Sequence, residues 1–127
     1  MYLNNERNLT KHKKDIMKHT KPLNDKNLIT KAFKLLRNKG YFAKQNYYCC
    51  TNCGWSAIPE DKADHAVFYH NQNAESFEKD GNIRKKDILY LAWSGNGKEI
   101  VEILQSVNFK VVWNGKEETK IGLMHSA

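Results

Sequence analysis

Apolar positions along the chain gather into a few dense segments with polar stretches between them. Leu28, Ile29, Ala32, Phe33, Leu35 and Leu36 recur with the three-to-four spacing of a single helical face. Asn24 ahead of them is a capping residue, and Gly40 behind them stands where a left-handed C-terminal residue belongs. A helix is therefore predicted between them, with Lys26, Lys31, Lys34 and Lys39 in water. Residues 88–93 form a nearly continuous apolar run, the best candidate for a central strand. Ile100, Val101, Ile103, Leu104 and Val107 trace one face of a second helix over 98–107, with Glu99 and Glu102 in its first half, where the helix dipole favours acids. The aromatic-rich segment 41–49 reads as a strand, followed by an extended exit over 55–59. The run 65–70 reads as another strand, and 73–79 as a short helix closed by Gly81. Asn114-Gly115 predicts a two-residue type I′ turn joining strands at 109–113 and 119–125.

Together these segments predict an α+β domain over residues 23–127, an antiparallel-rich sheet packed against two main helices. Residues 1–22 precede it as a basic arm or helix, set off by Pro22. Ser94-Gly95-Asn96-Gly97-Lys98 resembles a degenerate phosphate loop but lacks the glycine spacing and the Lys-Ser/Thr ending that such loops use.

Composition narrows the class. With 127 residues, 40% of them hydrophobic and 28% charged, the chain is long enough to bury a core without obligatory staples. No apolar run approaches the ~20 residues of a membrane span, and the opening residues lack the order of a signal peptide, so no membrane and a cytoplasmic location are expected. The net charge of +7 is unevenly distributed. Residues 1–44 carry twelve Lys and Arg against three acids, and residues 45–127 carry nine against eleven. This asymmetry points to a polyanionic partner, nucleic acid or a nucleoprotein, contacted by Lys11, Lys13, Lys14, Lys18, Lys21, Lys31 and Lys34. A solvated helical face is the plainer explanation. Arginine is scarce, three against eighteen lysines, which favours general phosphate attraction over forked base recognition.

Three cysteines, Cys49, Cys50 and Cys53, lie within five positions, an arrangement that suits reduced thiols or a metal better than a disulfide framework. Cys50-x-x-Cys53-Gly54 has the spacing of a thiolate knuckle, in which two intervening residues turn both sulfurs to one point and glycine supplies a positive φ. Zinc needs further ligands, and His70, His65 or Cys49 are the candidates; Cys50, Cys53 and His70 form the expected set. The histidines do not match a zinc finger, because they flank a β-type run instead of lying on a helix. A redox dithiol is the next alternative, weakened by the absence of an evident helix after Cys50. Cysteines simply packed beside Trp55 are the plainest reading of the three.

Cys49-Cys50-x-x-Cys53-Gly54-Trp55, then Val67-Phe68-Tyr69-His70-x-Gln72-Asn73-Ala74-Glu75, then Trp113-x-Gly115 resemble an uncharacterised bacterial domain family of unknown function. The resemblance spans roughly residues 25–125 and implies a small α+β domain without a known activity. The family pattern prefers aspartate where this chain has Asn73, which weakens any role for a carboxylate there. The leading expectation is a non-enzymatic binding module for nucleic acid or a host nucleoprotein, of the kind a phage or mobile-element inhibitor such as an anti-CRISPR represents. The alternative is a thiol-dependent or zinc-binding enzyme or redox protein that uses the cysteine knuckle.

Overall fold

Asn24 opens the first helix, α1 (Asp25–Asn38), with a reciprocal capping box. Its side chain accepts from the Asn27 N–H at 2.8 Å, while the Asn27 side chain accepts from the Asn24 N–H at 3.2 Å. The same helix ends in a Schellman motif, in which the Gly40 N–H reaches the Arg37 carbonyl and the Tyr41 N–H reaches the Leu36 carbonyl, both at 3.0 Å. Gly40 has φ +98°, the left-handed geometry expected of it. Lys26, Lys31 and Lys34 on the helix and Lys39 at its C-cap are exposed, as the periodicity predicts. The structure, a computed structural model, describes residues 23–125. Lys11, Lys13, Lys14, Lys18 and Lys21, and with them the expected basic arm, lie outside the described residues.

The remaining elements are β1 (Phe42–Lys44), α2 (Thr51–Ala57), a 3-10 turn (Glu60–Lys62), β2 (Ala66–Phe68), a second 3-10 turn (Asn73–Ser76), β3 (Leu89–Trp93), α3 (Gly97–Ser106), β4 (Lys110–Val112) and β5 (Ile121–Met124). The strands form one five-stranded sheet in the order β1-β2-β3-β5-β4, with β3 at its centre. Only β1 and β2 pair in parallel, and the other three pairings are antiparallel. The fold is thus the expected α+β class.

Strand alternation assigns the two faces of the sheet. Val67, Leu89, Leu91, Ile121 and Leu123 point to one side, where they meet Ile29, Phe33 and Leu36 of α1 and Ile100 and Leu104 of α3 in a core of fully buried residues. Ala66, Phe68 and Ala92 point to the other side, where they pack with Ile58 and with half-buried Phe42, Tyr47, Trp55 and Ala63. At the first turn of α1, the buried Asp25 carboxylate accepts from the Ile83 N–H and contacts His125 Nδ1, both at 2.8 Å. That contact ties the start of the helix to the far end of the described chain.

Three local expectations are corrected. The hairpin exists, but Val112 pairs with Gly122 and Lys110 with Met124, so 113–120 form a longer loop and Asn114-Gly115 is not its two-residue turn. A tight turn there would pair Val112 with Glu117 and take Ile121 and Leu123 out of the core, so burial of those two residues decides the register. Asn114 instead accepts from the Lys116 N–H and the Thr119 hydroxyl, organising the loop from within. The strand expected over 41–49 stops at Lys44, and the extended exit at 55–59 is mostly helix. Gly97, in the loop that resembled a phosphate site, opens α3 beneath two indoles; an added Cβ would lie 2.6 Å from Trp113 and 2.9 Å from Trp93. Close packing accounts for this glycine.

Candidate thiolate metal centre

The loop that carries the cysteines is shaped by two residues in left-handed backbone geometry, Asn46 at φ +53° and Tyr48 at φ +62°. For a bulky side chain such as Tyr48 this conformation is costly and persists only where surrounding contacts hold it. The segment after β2 supplies them. The Tyr47 N–H donates to the Tyr69 carbonyl and the Asn71 N–H to the Tyr48 carbonyl, both at 2.8 Å. With its amide turned to donate, the Asn71 side chain also reaches the Tyr48 and Asn46 carbonyls at 3.2 Å and Asn46 Oδ1 at 2.6 Å. On the other side, Tyr47 stacks edge-on against Tyr48, with ring centres 4.7 Å apart, and against Phe68 at 5.7 Å.

Cys50 then caps α2, and the helix carries Cys53 one turn later. This corrects the reading of the knuckle. Gly54 is not a positive-φ closure but a buried helical position, where a Cβ would lie 2.7 Å from Phe68 Cζ. Without that close approach the helix could not settle on the aromatic cluster, so the glycine sets the height of both cysteines above the sheet.

The Sγ atoms of Cys49, Cys50 and Cys53 lie within 4.8 Å of one another, and those of Cys49 and Cys53 are 3.4 Å apart. All three are free thiols; Cys49 and Cys53 are exposed and Cys50 is half-buried. Thiolates around a tetrahedral zinc at ~2.3 Å stand about 3.8 Å apart, so the group can hold a metal ion with small adjustments of side chains. Cys50 and Cys53 converge as their spacing predicts. The third thiol is Cys49.

The thiols differ in their surroundings. The Cys50 thiol is held below its ordinary range, first by the backbone N–H of Cys53 and then by the Cys53 thiol, although the geometry falls short of a full capping hydrogen bond. The Cys53 thiol is pushed up to about 11 by its hydrogen bonds to Cys49 and Cys50 and by their charge. One sulfur is thus favoured as thiolate while a neighbour keeps its proton, which suits either metal capture with proton release or thiol exchange.

The histidines stand apart from this group. His70 is buried; its ring Nδ1 accepts from the Asn73 backbone N–H at 3.3 Å, and the His70 backbone N–H donates to Asn73 Oδ1 at 3.1 Å. Burial, and after it the charge of Lys120, holds its imidazole below the usual range. His70 does not join the three cysteines. His65 is exposed beside Asp64 at the start of β2, whereas the thiols lie beyond the far ends of the parallel β1 and β2. Lys31 and Lys34 lie on α1, across the sheet from the thiols. Sequence reasoning missed the loop-holding roles of Tyr48 and Asn71, since neither a left-handed tyrosine nor the long-range partner of a loop carbonyl leaves a local pattern. It also missed Lys120, whose ammonium donates to the Thr51 hydroxyl at 2.8 Å beside the start of α2.

No curated protein and no solved structure matches the chain. A family model does match, over residues 6–126, further toward the N-terminus than the motifs alone indicate, so the basic segment lies largely inside the matched region. The chain belongs to the domain family of unknown function DUF6891.

Proposed function

We propose that this protein is a metal-binding module in which Cys49, Cys50 and Cys53 hold a soft divalent ion, zinc foremost. The observation that carries this reading is the convergence of three sulfurs within 4.8 Å on a loop held in costly backbone geometry. Thiolate ligands select zinc or copper(I) over hard cations, and zinc accepts three sulfurs and a fourth ligand without geometric preference. The protein's part is to orient the sulfurs, Cys49 from the loop and Cys50 and Cys53 from the first turn of α2, and to release the Cys53 proton as the ion binds. Native mass spectrometry after zinc addition should show one bound ion, and Cys53→Ser should weaken binding at least tenfold in a chelator competition. A zinc-treated protein that keeps only its apo mass would leave the cysteines as packing residues.

A second reading rests on charge. Lys26, Lys31, Lys34 and Lys39 emerge from the solvent side of α1, and they continue the basic excess of residues 1–44. This supports binding of nucleic acid or a nucleoprotein through phosphate contacts, which weaken steeply with salt. Reversing the charge of Lys11, Lys13, Lys14 and Lys18 should reduce the salt slope of DNA binding. An unchanged slope removes those residues from the contact.

A further inference from the structure

Three sulfurs do not complete a tetrahedron. Among the described residues no histidine, cysteine or carboxylate joins Cys49, Cys50 and Cys53 as a fourth ligand. Next to them lies an open concavity of about 400 Å³, lined by Tyr48, Asn52, Cys53, Ser56 and Ala57. Asn52, Cys53, Ser56 and Ala57 form one outer stripe of α2, spaced as neighbours on a helical surface, and the half-exposed ring of Tyr48 faces them as a wall. The stripe carries small side chains, and no Lys, Arg, His, Asp or Glu lines the concavity. Such a surface offers no cationic side chain to a phosphate or a carboxylate. It suits a compact, uncharged molecule whose donor atom is itself soft.

We infer that the open coordination position of the ion faces this concavity and takes the sulfur of a small thiol. The inference rests on the metal-binding reading above. In the exchange, the thiol loses its proton to solvent, its sulfur bonds to the ion, and a bound water leaves, so the metal keeps its oxidation state and a coordination number of four. Zinc sites with three protein ligands keep the fourth position for water or substrate in this way. Tyr48 has a positioning role here, since its ring forms the wall opposite Ser56 and its backbone sets the direction of Cys49.

The test uses the full chain loaded with one equivalent of cobalt(II), freed of excess metal, and titrated with 2-mercaptoethanol. A thiolate-to-cobalt charge-transfer band should appear on loading and grow by about one-third on titration as three sulfurs become four. n-Propanol, which lacks the sulfur, should leave the band unchanged. Ser56→Trp changes an exposed helical position and fills the concavity. That variant should keep the starting band and bind the thiol at least tenfold more weakly. If no band forms on loading, the metal-binding reading fails and this inference with it. If the band forms but does not respond to the thiol, the metal reading stands and the open position is refuted. A response unchanged in Ser56→Trp would refute its placement in the concavity.

Discussion

The two faces of the sheet are built by different means. On the face covered by α1 and α3, mainly branched aliphatic side chains pack around Phe33, and Ile29, Leu36, Leu89, Leu91, Ile100, Leu104, Ile121 and Leu123 are completely buried. On the other face, a seven-residue helix and its flanking loop sit on rings: Phe68 meets Trp55 at 5.3 Å and Tyr47 at 5.7 Å, and Tyr47 meets Phe42 at 5.6 Å. The polar ties of the first face, those of Asp25, of Tyr41 to Glu99, of Tyr69 to Gln45 and of Trp93 to the Thr119 carbonyl, pin elements together and include no thiol. The second carries all three thiols, two left-handed residues and a helix too short to be stable by itself. The aliphatic face therefore supplies most of the stability, and the aromatic face spends part of it on holding the cysteines in one place.

Substitutions that should harm one face and spare the other test this division. The largest effect is expected at Leu104, whose side chain is fully enclosed by the main core. Leu104→Ala should cost about 2–5 kcal/mol through lost burial and a residual cavity, with zinc affinity per folded molecule unchanged. Lys98→Ala, on the exposed side of the same helix, should stay within about 0.5 kcal/mol. Chemical unfolding curves for the pair, run beside a zinc competition assay, give the comparison. Equal midpoints would mean that the aliphatic face is not the stabilising one.

Gly54 is the complementary case. Alanine favours helix over glycine by up to about 1 kcal/mol, but its Cβ would enter the Phe68 ring, and overpacking of this kind costs about 1–3 kcal/mol. The steric term should win. Gly54→Ala should destabilise moderately and also weaken zinc binding, because α2 must lift and carry Cys50 and Cys53 away from Cys49. A variant that binds zinc as wild type would show that the thiols do not depend on how α2 is seated.

The same contrast explains what the sequence makes legible. The helix over 25–38 and the helix over 97–106 are long enough for three-to-four periodicity to accumulate, and β3 is a continuous apolar run, so these three elements of the aliphatic face are readable from sequence, apart from the exposed Leu35. The aromatic face is not. Its helix has seven residues, opens on the polar Thr51 and Asn52, and has at Gly54 a residue that ordinarily marks a turn. Glycine is there for closeness to Phe68, and closeness is a tertiary fact. The metal-competent group was half visible: Cys50 and Cys53 follow from spacing, but the choice between Cys49 and His70 depends on where β2 ends. His70 turns back onto Asn73, a contact three residues away that the helical or extended readings of that segment do not contain. At the hairpin, the local preference of Asn114-Gly115 lost to the burial of Ile121 and Leu123.

Asn71 sharpens the comparison at intermediate size. Its amide holds the carbonyls of Asn46 and Tyr48, so it supports the thiol loop without touching a sulfur. Outer partners of metal ligands typically contribute about 10–100-fold to affinity. Asn71→Ala should lower zinc affinity by about tenfold or more, while the unfolding midpoint moves less than for Leu104→Ala. An affinity equal to wild type would mean that the left-handed geometry at Tyr48 is held by ring packing alone.

The smallest effect concerns pH and the single imidazole of His70. Burial, and after it the positive charge of Lys120, depresses its pKa in the folded protein. In the unfolded chain it returns to about 6.5. Between those values the unfolded chain binds a proton that the folded chain refuses, so stability rises with pH across that window. The contribution is fully present above the unfolded value and is lost as pH falls from about 6.5 toward the depressed folded value. His70→Gln removes the titration while its side-chain carbonyl can still accept from the Asn73 N–H. Unfolding midpoints should therefore be measured at pH 7.5 and 5.0 on metal-free, reduced protein. The wild type should lose more stability between the two than His70→Gln does, and Lys120→Met, which removes the second cause only, should fall between them. Since Leu104 lies in the opposite core, Leu104→Ala should keep the full pH response of the wild type at a lower midpoint. If His70→Gln shows the same pH loss as wild type, the acid sensitivity belongs to another group and the His70 imidazole does not set it.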